Sequence, residues 1–266
     1  MAVRLNCFSI TMQTIALAAV LLLASVANAW GNDAERKAMI AKVNPSIVKI
    51  RQSHSLGSGF VIAVDDDTAV AVTNYHVVEG AKKMAIFFPA DDKEMKDPYE
   101  ADGYIEIMPQ RDLALVHFKL NGKKVAPLKL AEQRAEQGDT VYTFSSSVGQ
   151  PNMVIPGMVA SIASGKQVAR TLDRLGKDAY EKGLGYTFDI TWILHTAVMS
   201  HGNSGGPIVN EKGEVVGINT MNFSQENVST GGMAITYAIS AAHLVKMLRN
   251  VGKKVKSWSS LPPPRK

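Results

Sequence analysis

The sequence has one cysteine, Cys7, and none after it. From residue 8 onward no disulfide is available, and an exported protein of this size without disulfides fits a bacterial periplasm or exterior better than an animal secretion. Charge of one sign is also scarce. Twenty-nine Lys and Arg stand against 24 Asp and Glu, a net charge of +5. They are spread along the chain except at Lys253-Lys254-Val255-Lys256, so the pattern is a solvated surface and gives no case for nucleic acid. There is no internal repeat. No His/Cys/Asp/Glu cluster has metal-ligand spacing, so neither a metal nor a cofactor is expected. Asp65-Asp66-Asp67 reads first as a turn, with a calcium loop as the alternative. Past the N-terminus no apolar run is long enough to span a bilayer.

The N-terminus does hold such a run. Residues 1–29 read as a secretory signal, with Arg4 in the positive region, an apolar core from Ile15 to Val26 and the A-x-A site Ala27-Asn28-Ala29. Cleavage after Ala29 is expected, an uncleaved anchor being the alternative. The remaining chain is long enough for one large β domain or two small ones.

Along that remainder, helical periods are few and short strands many. Residues 30–45 have helical character, ended by Asn44-Pro45. Strands are expected at Ser46–Ile50, Phe60–Val64, Thr68–Thr73, Met84–Phe88, Tyr104–Met108 and Leu113–Leu120. A second set covers Thr140–Phe144, Met153–Ile162, Thr187–Val198, Ile208–Val209, Glu214–Thr220 and Met233–Ile239. Glu211-Lys212-Gly213 marks a hairpin turn. This alternation indicates an all-β sandwich or barrel. The two sets suggest two barrels, 46–130 and 131–240. A final amphipathic helix spans 241–252, stopped by Gly252, and 253–266 forms a flexible tail. The charged segment Gly165–Gly185 breaks the pattern and is either a functional loop or a loose excursion.

One stretch calls for a chemical reason: His201-Gly202-Asn203-Ser204-Gly205-Gly206-Pro207. Gly202 lets the backbone adopt angles closed to other residues. If Ser204 is a nucleophile, the N–H groups of Gly202 and Ser204 can converge on a developing oxyanion. A plain Gly/Ser/Asn loop between strands is the alternative. A serine hydroxyl needs a base, and the base needs an orienting group. His76, in Thr73-Asn74-Tyr75-His76-Val77-Val78, ends one strand. Asp112, in Arg111-Asp112-Leu113-Ala114-Leu115-Val116, begins another. Each alone also reads as a cap or a turn residue, but the order His, Asp, Ser is one of the known orders of the Ser-His-Asp triad.

On these residues the chain resembles trypsin-like serine proteases of the HtrA/Deg type. The matching pieces are Gly57-Ser58-Gly59-Phe60, Thr73–Gly80, Asp112-Leu113-Ala114-Leu115, Gly202–Pro207 and Gly213–Thr220. The resemblance runs from about Val43 to Val251. It implies two six-stranded antiparallel β-barrels of the chymotrypsin type with the active site between them. It also implies Ser204 as nucleophile, His76 as general base and then acid, Asp112 as the residue orienting His76, and an oxyanion hole from Gly202 and Ser204. Relatives commonly carry PDZ domains, which are not expected here, and many are trimers, so an oligomer is an open expectation. Two departures stand out: Ser145-Ser146-Ser147 where Gly-Asn-Pro is frequent, and His201 where proline is common.

By the same resemblance the base of the specificity pocket is Val198, six before the serine. With no carboxylate there, a small or medium apolar P1 side chain is expected, read by Val198 and the edge Ile218-Asn219-Thr220, with the substrate backbone paired to a strand edge. The expected function is a secreted or periplasmic serine endopeptidase acting on polypeptides. A silent, chaperone-like polypeptide-binding protein of the same fold is the alternative. No stable membrane insertion is expected after signal cleavage.

Overall fold

The computed structural model describes residues 32–91, 96–101, 103–146, 152–174, 186–223 and 235–254. The expected signal, 1–29, and the end of the tail lie outside the described residues. The chain divides into two units, Met1–Met39 and Ile40–Lys266, and everything below on the sheets and the site concerns the second.

The helix α1 (Asn32–Val43) has Asp33 and Glu35 in its first turn and Lys42 in its last, the charge order that a helix dipole favours. Pro45 then forces a 3-10 turn, Asn44–Ser46. The first strand set follows as β1 (Ile47–Arg51), β2 (Leu56–Asp65) and β3 (Thr68–Thr73). After a one-turn helix, α2 (Tyr75–Val78), come β4 (Met84–Phe87), β5 (Tyr99–Ala101), β6 (Tyr104–Met108) and β7 (Leu113–Lys119). Asp66 takes φ +48° in the turn between β2 and β3, so Asp65-Asp66-Asp67 is the turn that its composition suggests. The second set is β8 (Thr140–Ser145), β9 (Met153–Ser164), a helix α3 (Gly165–Arg174), β10 (Thr191–His195), β11 (Pro207–Val209), β12 (Val215–Phe223) and β13 (Ile235–Ser240). A last helix, α4 (Ala241–Lys254), runs through Gly252 rather than stopping at it.

The second set closes into a six-stranded barrel, β10-β13-β12-β11-β8-β9. The first makes a seven-stranded antiparallel sheet, β5-β4-β1-β2-β3-β7-β6, where six strands in a closed ladder were expected. The added strand, β5, has three residues and, among the described strands, hydrogen-bonds only to β4. The sheet curls until β5 lies against β7, which gives the lobe a barrel-like interior without closing its ladder. Val48, Ile50, Val61, Ile86, Val116 and Phe118 fill that interior. Val141, Val159, Ile193, Ile208 and Ala238 fill the closed barrel. Each large apolar side chain so buried contributes roughly 1.5–3 kcal/mol.

The ends of three strands decide what meets. β3 and β7 are paired in register, Thr73 opposite Ala114. Position 76 therefore lies just past one strand end, and position 112 just before the start of its neighbour. β11 begins at Pro207, three residues after Ser204. Between Gly165 and β10, the charged segment begins as α3, so its first half is helical. Residues 175–185 lie outside the described residues.

Candidate active site

Asp112 follows a 3-10 turn at Pro109–Arg111 and takes a left-handed φ of +49°, a conformation that aspartate tolerates better than most residues. That backbone swings the carboxylate under His76. Oδ1 accepts the backbone N–H of His76 at 2.9 Å, and Oδ2 lies 2.7 Å from His76 Nδ1. A carboxylate accepts only, so Nδ1 carries a proton, and in the neutral ring the lone pair is left on Nε2. Asp112 is 2% exposed, whereas the His76 side chain is 43% exposed. Burial lowers the His76 pKa, but the hydrogen bond and charge of Asp112, joined by the charge of Glu79, outweigh it and hold the imidazole above its usual 6.5. The phenol of Tyr186 also donates to Asp112 Oδ2, at 3.0 Å.

The Ser204 loop packs directly on this pair's strand end. Gly205 takes φ +87°, and a Cβ there would fall 2.2 Å from the carbonyl oxygen of Ser58 and 3.0 Å from the backbone nitrogen of Asn74. Only glycine fits so close to the strand that leads to His76. The side-chain amide of Asn74 donates to the Asp112 carbonyl (2.8 Å) and to Thr220 Oγ1 (3.1 Å), so it ties the Asp112 turn to β12.

Ser58 braces the loop from the other side. Its N–H donates to the Ser204 carbonyl at 2.8 Å, and its hydroxyl donates to the Gly202 carbonyl at 2.6 Å. The same hydroxyl accepts the N–H of Ser146 at 2.9 Å. The Ser145-Ser146 stretch, whose form the sequence leaves open, is therefore held by this serine. Gly202 has φ +94°. Among the described residues, the N–H groups of Gly202 and Ser204 donate to no protein acceptor. The Ser204 hydroxyl donates to the Thr220 carbonyl at 3.2 Å and makes no hydrogen bond to His76 in this state.

The expected specificity residues divide. Val198 is exposed, at 55%, on the loop between β10 and β11. Ile218 and Asn219 are fully buried and Thr220 nearly so. The cause is the β-pleat together with the Ser204 loop. Asn219 exchanges backbone hydrogen bonds with Gly205 and Gly206, which covers that stretch of β12. Beyond it, Met221–Phe223 pair with β13 alone among the described strands. The Asn222 amide reaches the Met199 carbonyl at 3.3 Å and bridges the two walls. His201 is exposed.

Sequence reasoning did not find Tyr186 or His195. His195 is fully buried, with Nε2 3.1 Å from Asn219 Oδ1. Burial drives its pKa down to about 4, against the Asn219 hydrogen bond. Neither residue sits in a motif: Tyr186 directly precedes the strand expected over Thr187–Val198, and His195 lies within it. Among the described residues no group of three or more His, Cys, Asp or Glu is placed to hold a metal ion. No described helix is long and apolar enough to cross a membrane.

A family profile, the trypsin-like peptidase domain, matches residues 57–218. The chain is 31% identical over 212 residues to a protein of Pseudomonas putida named probable periplasmic serine endoprotease DegP-like, covering 78% of this chain and 38% of that one. It is 32% identical over 206 residues to mitochondrial serine protease HTRA2 of Bos taurus, covering 77% and 38%. It thus spans about two fifths of the length of the curated relatives it matches. Among solved structures, the Rv3671c protease of M. tuberculosis in an inactive form superposes with a TM-score of 0.61 at 21% identity, over 85% of this chain and 93% of that one. The serine endoprotease of Yersinia pestis gives 0.59 at 21%, over 82% and 66%. Likeness at this level supports the chymotrypsin-type fold.

Proposed function

The chain belongs to the trypsin-like peptidase family, and from that premise we propose that it is a serine endopeptidase working through Ser204, His76 and Asp112. The observation that carries the reading is the pairing of a buried carboxylate with His76 Nδ1 at 2.7 Å, beside a serine loop whose Gly202 and Ser204 N–H groups have no protein acceptor among the described residues. In this reading the Ser204 hydroxyl turns from Thr220 to His76 Nε2 when substrate enters. Such catalytic hydrogen bonds often form only in the complex. Oγ attacks the scissile carbonyl as its proton passes to Nε2, and the oxyanion is met by the N–H groups of Gly202 and Ser204. His76 then protonates the leaving amine, and water releases the acyl group by the same route.

The substrate backbone is proposed to pair with β12 at Met221–Phe223, replacing the Ile218–Thr220 edge, and a small or medium apolar P1 group to rest by Val198. The secretory signal expected over 1–29 and the periplasmic names of several relatives support export and unfolded or exported polypeptides as substrates. A second reading, a polypeptide binder without turnover, is favoured by the one hydrogen bond that the Ser204 hydroxyl makes, to Thr220. Incubation with unfolded casein and a fluorophosphonate probe separates the two. Labelling and cleavage that vanish in Ser204→Ala support the enzyme, with a loss on the order of 10^6 in kcat. Casein retained uncleaved and unlabelled serine support the binder.

A further inference from the structure

We propose that Tyr186, the first described residue after the 165–185 insertion, is a positioning residue for the His76–Asp112 pair. The inference rests on the serine-protease reading above and adds a part to it. A carboxylate 2% exposed needs donors in place of water. Among the described residues it has three: the backbone N–H of His76, His76 Nδ1 and the phenol of Tyr186. The one hydroxyl on β12, that of Thr220, is committed elsewhere. Thr220 Oγ1 donates to the Ile218 carbonyl and accepts the Asn74 amide. Among the described residues, Tyr186 is therefore the one side chain besides His76 that donates to Asp112 Oδ2.

The phenol is held in place from both sides. Its ring packs on Trp192, centroids 5.5 Å apart, and Trp192 is fully buried on β10. The residues that follow clamp onto the turn that carries Asp112. Thr187 N–H donates to the Gln110 carbonyl at 3.0 Å. Asp189 pairs with Arg111 and accepts the Thr187 hydroxyl at 2.6 Å. Arg111 also lies 2.8 Å from His243 Nδ1 on α4, while His243 Nε2 accepts the Thr191 N–H. The Gly165 N–H, at the start of α3, donates to the Ile190 carbonyl at 2.7 Å. A shift of the Tyr186–Ile190 end thus removes a hydrogen bond from the carboxylate that orients the base.

Removing the phenolic oxygen leaves more negative charge facing His76, so the imidazole holds its proton to higher pH. Tyr186→Phe keeps the ring on Trp192. It is expected to lower kcat about tenfold, the size of one hydrogen bond to a charged group, with KM little changed, and to move the acid limb of kcat/KM upward. Asp189→Asn, which loosens the clamp and leaves the phenol, is expected to do the same to a lesser degree. The independent readout is the histidine ring titration by NMR in the full chain, where the His76 resonance in Tyr186→Phe titrates at higher pH than in the parent. If the parent cleaves and labels but Tyr186→Phe changes neither kcat nor this titration, the inference is wrong while the function stands. If the parent neither cleaves nor labels, the function fails, and the titration alone still decides whether the phenol acts on the pair.

Discussion

Ser58 and Gly202 are 144 residues apart, and a hydroxyl-to-carbonyl hydrogen bond of 2.6 Å joins them in a fully buried setting. Ser58→Ala removes that donor and also leaves the Ser146 N–H without its acceptor. The expected result is a loss of stability of about 1–3 kcal/mol, measured by denaturant unfolding. It is accompanied by a kcat reduced more than KM is raised, because the loop presenting the oxyanion donors is less well held. An unchanged kcat would show that Ser58 braces the fold but not the loop.

Gly205→Ala tests how tightly the serine loop is pressed on β3. The substitution meets both a positive φ and backbone atoms within 2.2–3.0 Å. Strain at such a position costs roughly 1–3 kcal/mol before any clash is counted. A thermal midpoint many degrees below the parent is expected, with loss of fluorophosphonate labelling. A variant as stable and as reactive as the parent would contradict the close packing.

His76 is held above 6.5 mainly because Asp112, by hydrogen bond and charge, overcomes the opposing effect of burial. Catalysis needs the neutral ring, so kcat/KM should rise with pH through a value higher than an ordinary histidine's. The stability linkage runs the other way. A raised folded pKa adds stability fully present below 6.5, and this is lost as pH climbs through the folded value. Asp112→Asn should move the activity limb back toward lower pH while reducing kcat, as a pH series on a peptide substrate would read.

His195 makes the opposite linkage. Buried and held near 4, it is kept neutral by the fold and must take up a proton on unfolding below 6.5. Stability from this group is complete above 6.5 and falls away as pH drops toward 4, by up to about 3 kcal/mol. His243, also near 4 from burial and the Arg111 charge, adds to the same slope. Unfolding free energies at pH 7 and pH 4.5 should differ less in His195→Gln than in the parent. The variant should also be weaker at the serine loop, which Asn219 holds through Gly205 and Gly206.

Val198 gives a test of specificity. It is exposed and uncharged, on the loop that leads to Ser204. Val198→Asp should shift a peptide-library profile from apolar toward Arg or Lys at P1, by the pairing of the substrate cation with a carboxylate. A profile that does not move would place the P1 wall elsewhere.

Most strands could be read directly, because a two-residue alternation of Val, Ile and Phe survives whatever the partner strand is. Helix α1 and the turn at Asp65-Asp66-Asp67 were legible for the same local reason. The strand expected over Thr187–Val198 contracts to Thr191–His195, because residues on either side are taken up by the Asp112 clamp and by the serine loop. Gly252 failed as a stop because a glycine ends a helix only where the chain needs left-handed backbone, and α4 continues instead. Ile218 and Asn219 looked like a cleft edge because the motif around them is the family's. Their burial depends on the serine loop lying across β12, which no spacing reveals.

Local pattern was enough to indicate most strands and the serine loop, since each depends on residues a few positions apart, and the order His76, Asp112, Ser204 could be read along the chain. The placement of Tyr186 on Asp112 depended on contacts 74 residues apart, as did the brace of Ser58 and the present direction of the Ser204 hydroxyl on contacts between distant segments. Hydrophobic alternation says which face of a strand turns inward. It does not say which polar atom from another part of the chain will arrive beside a buried charge, and that choice is made only when the packed segments leave one donor within reach.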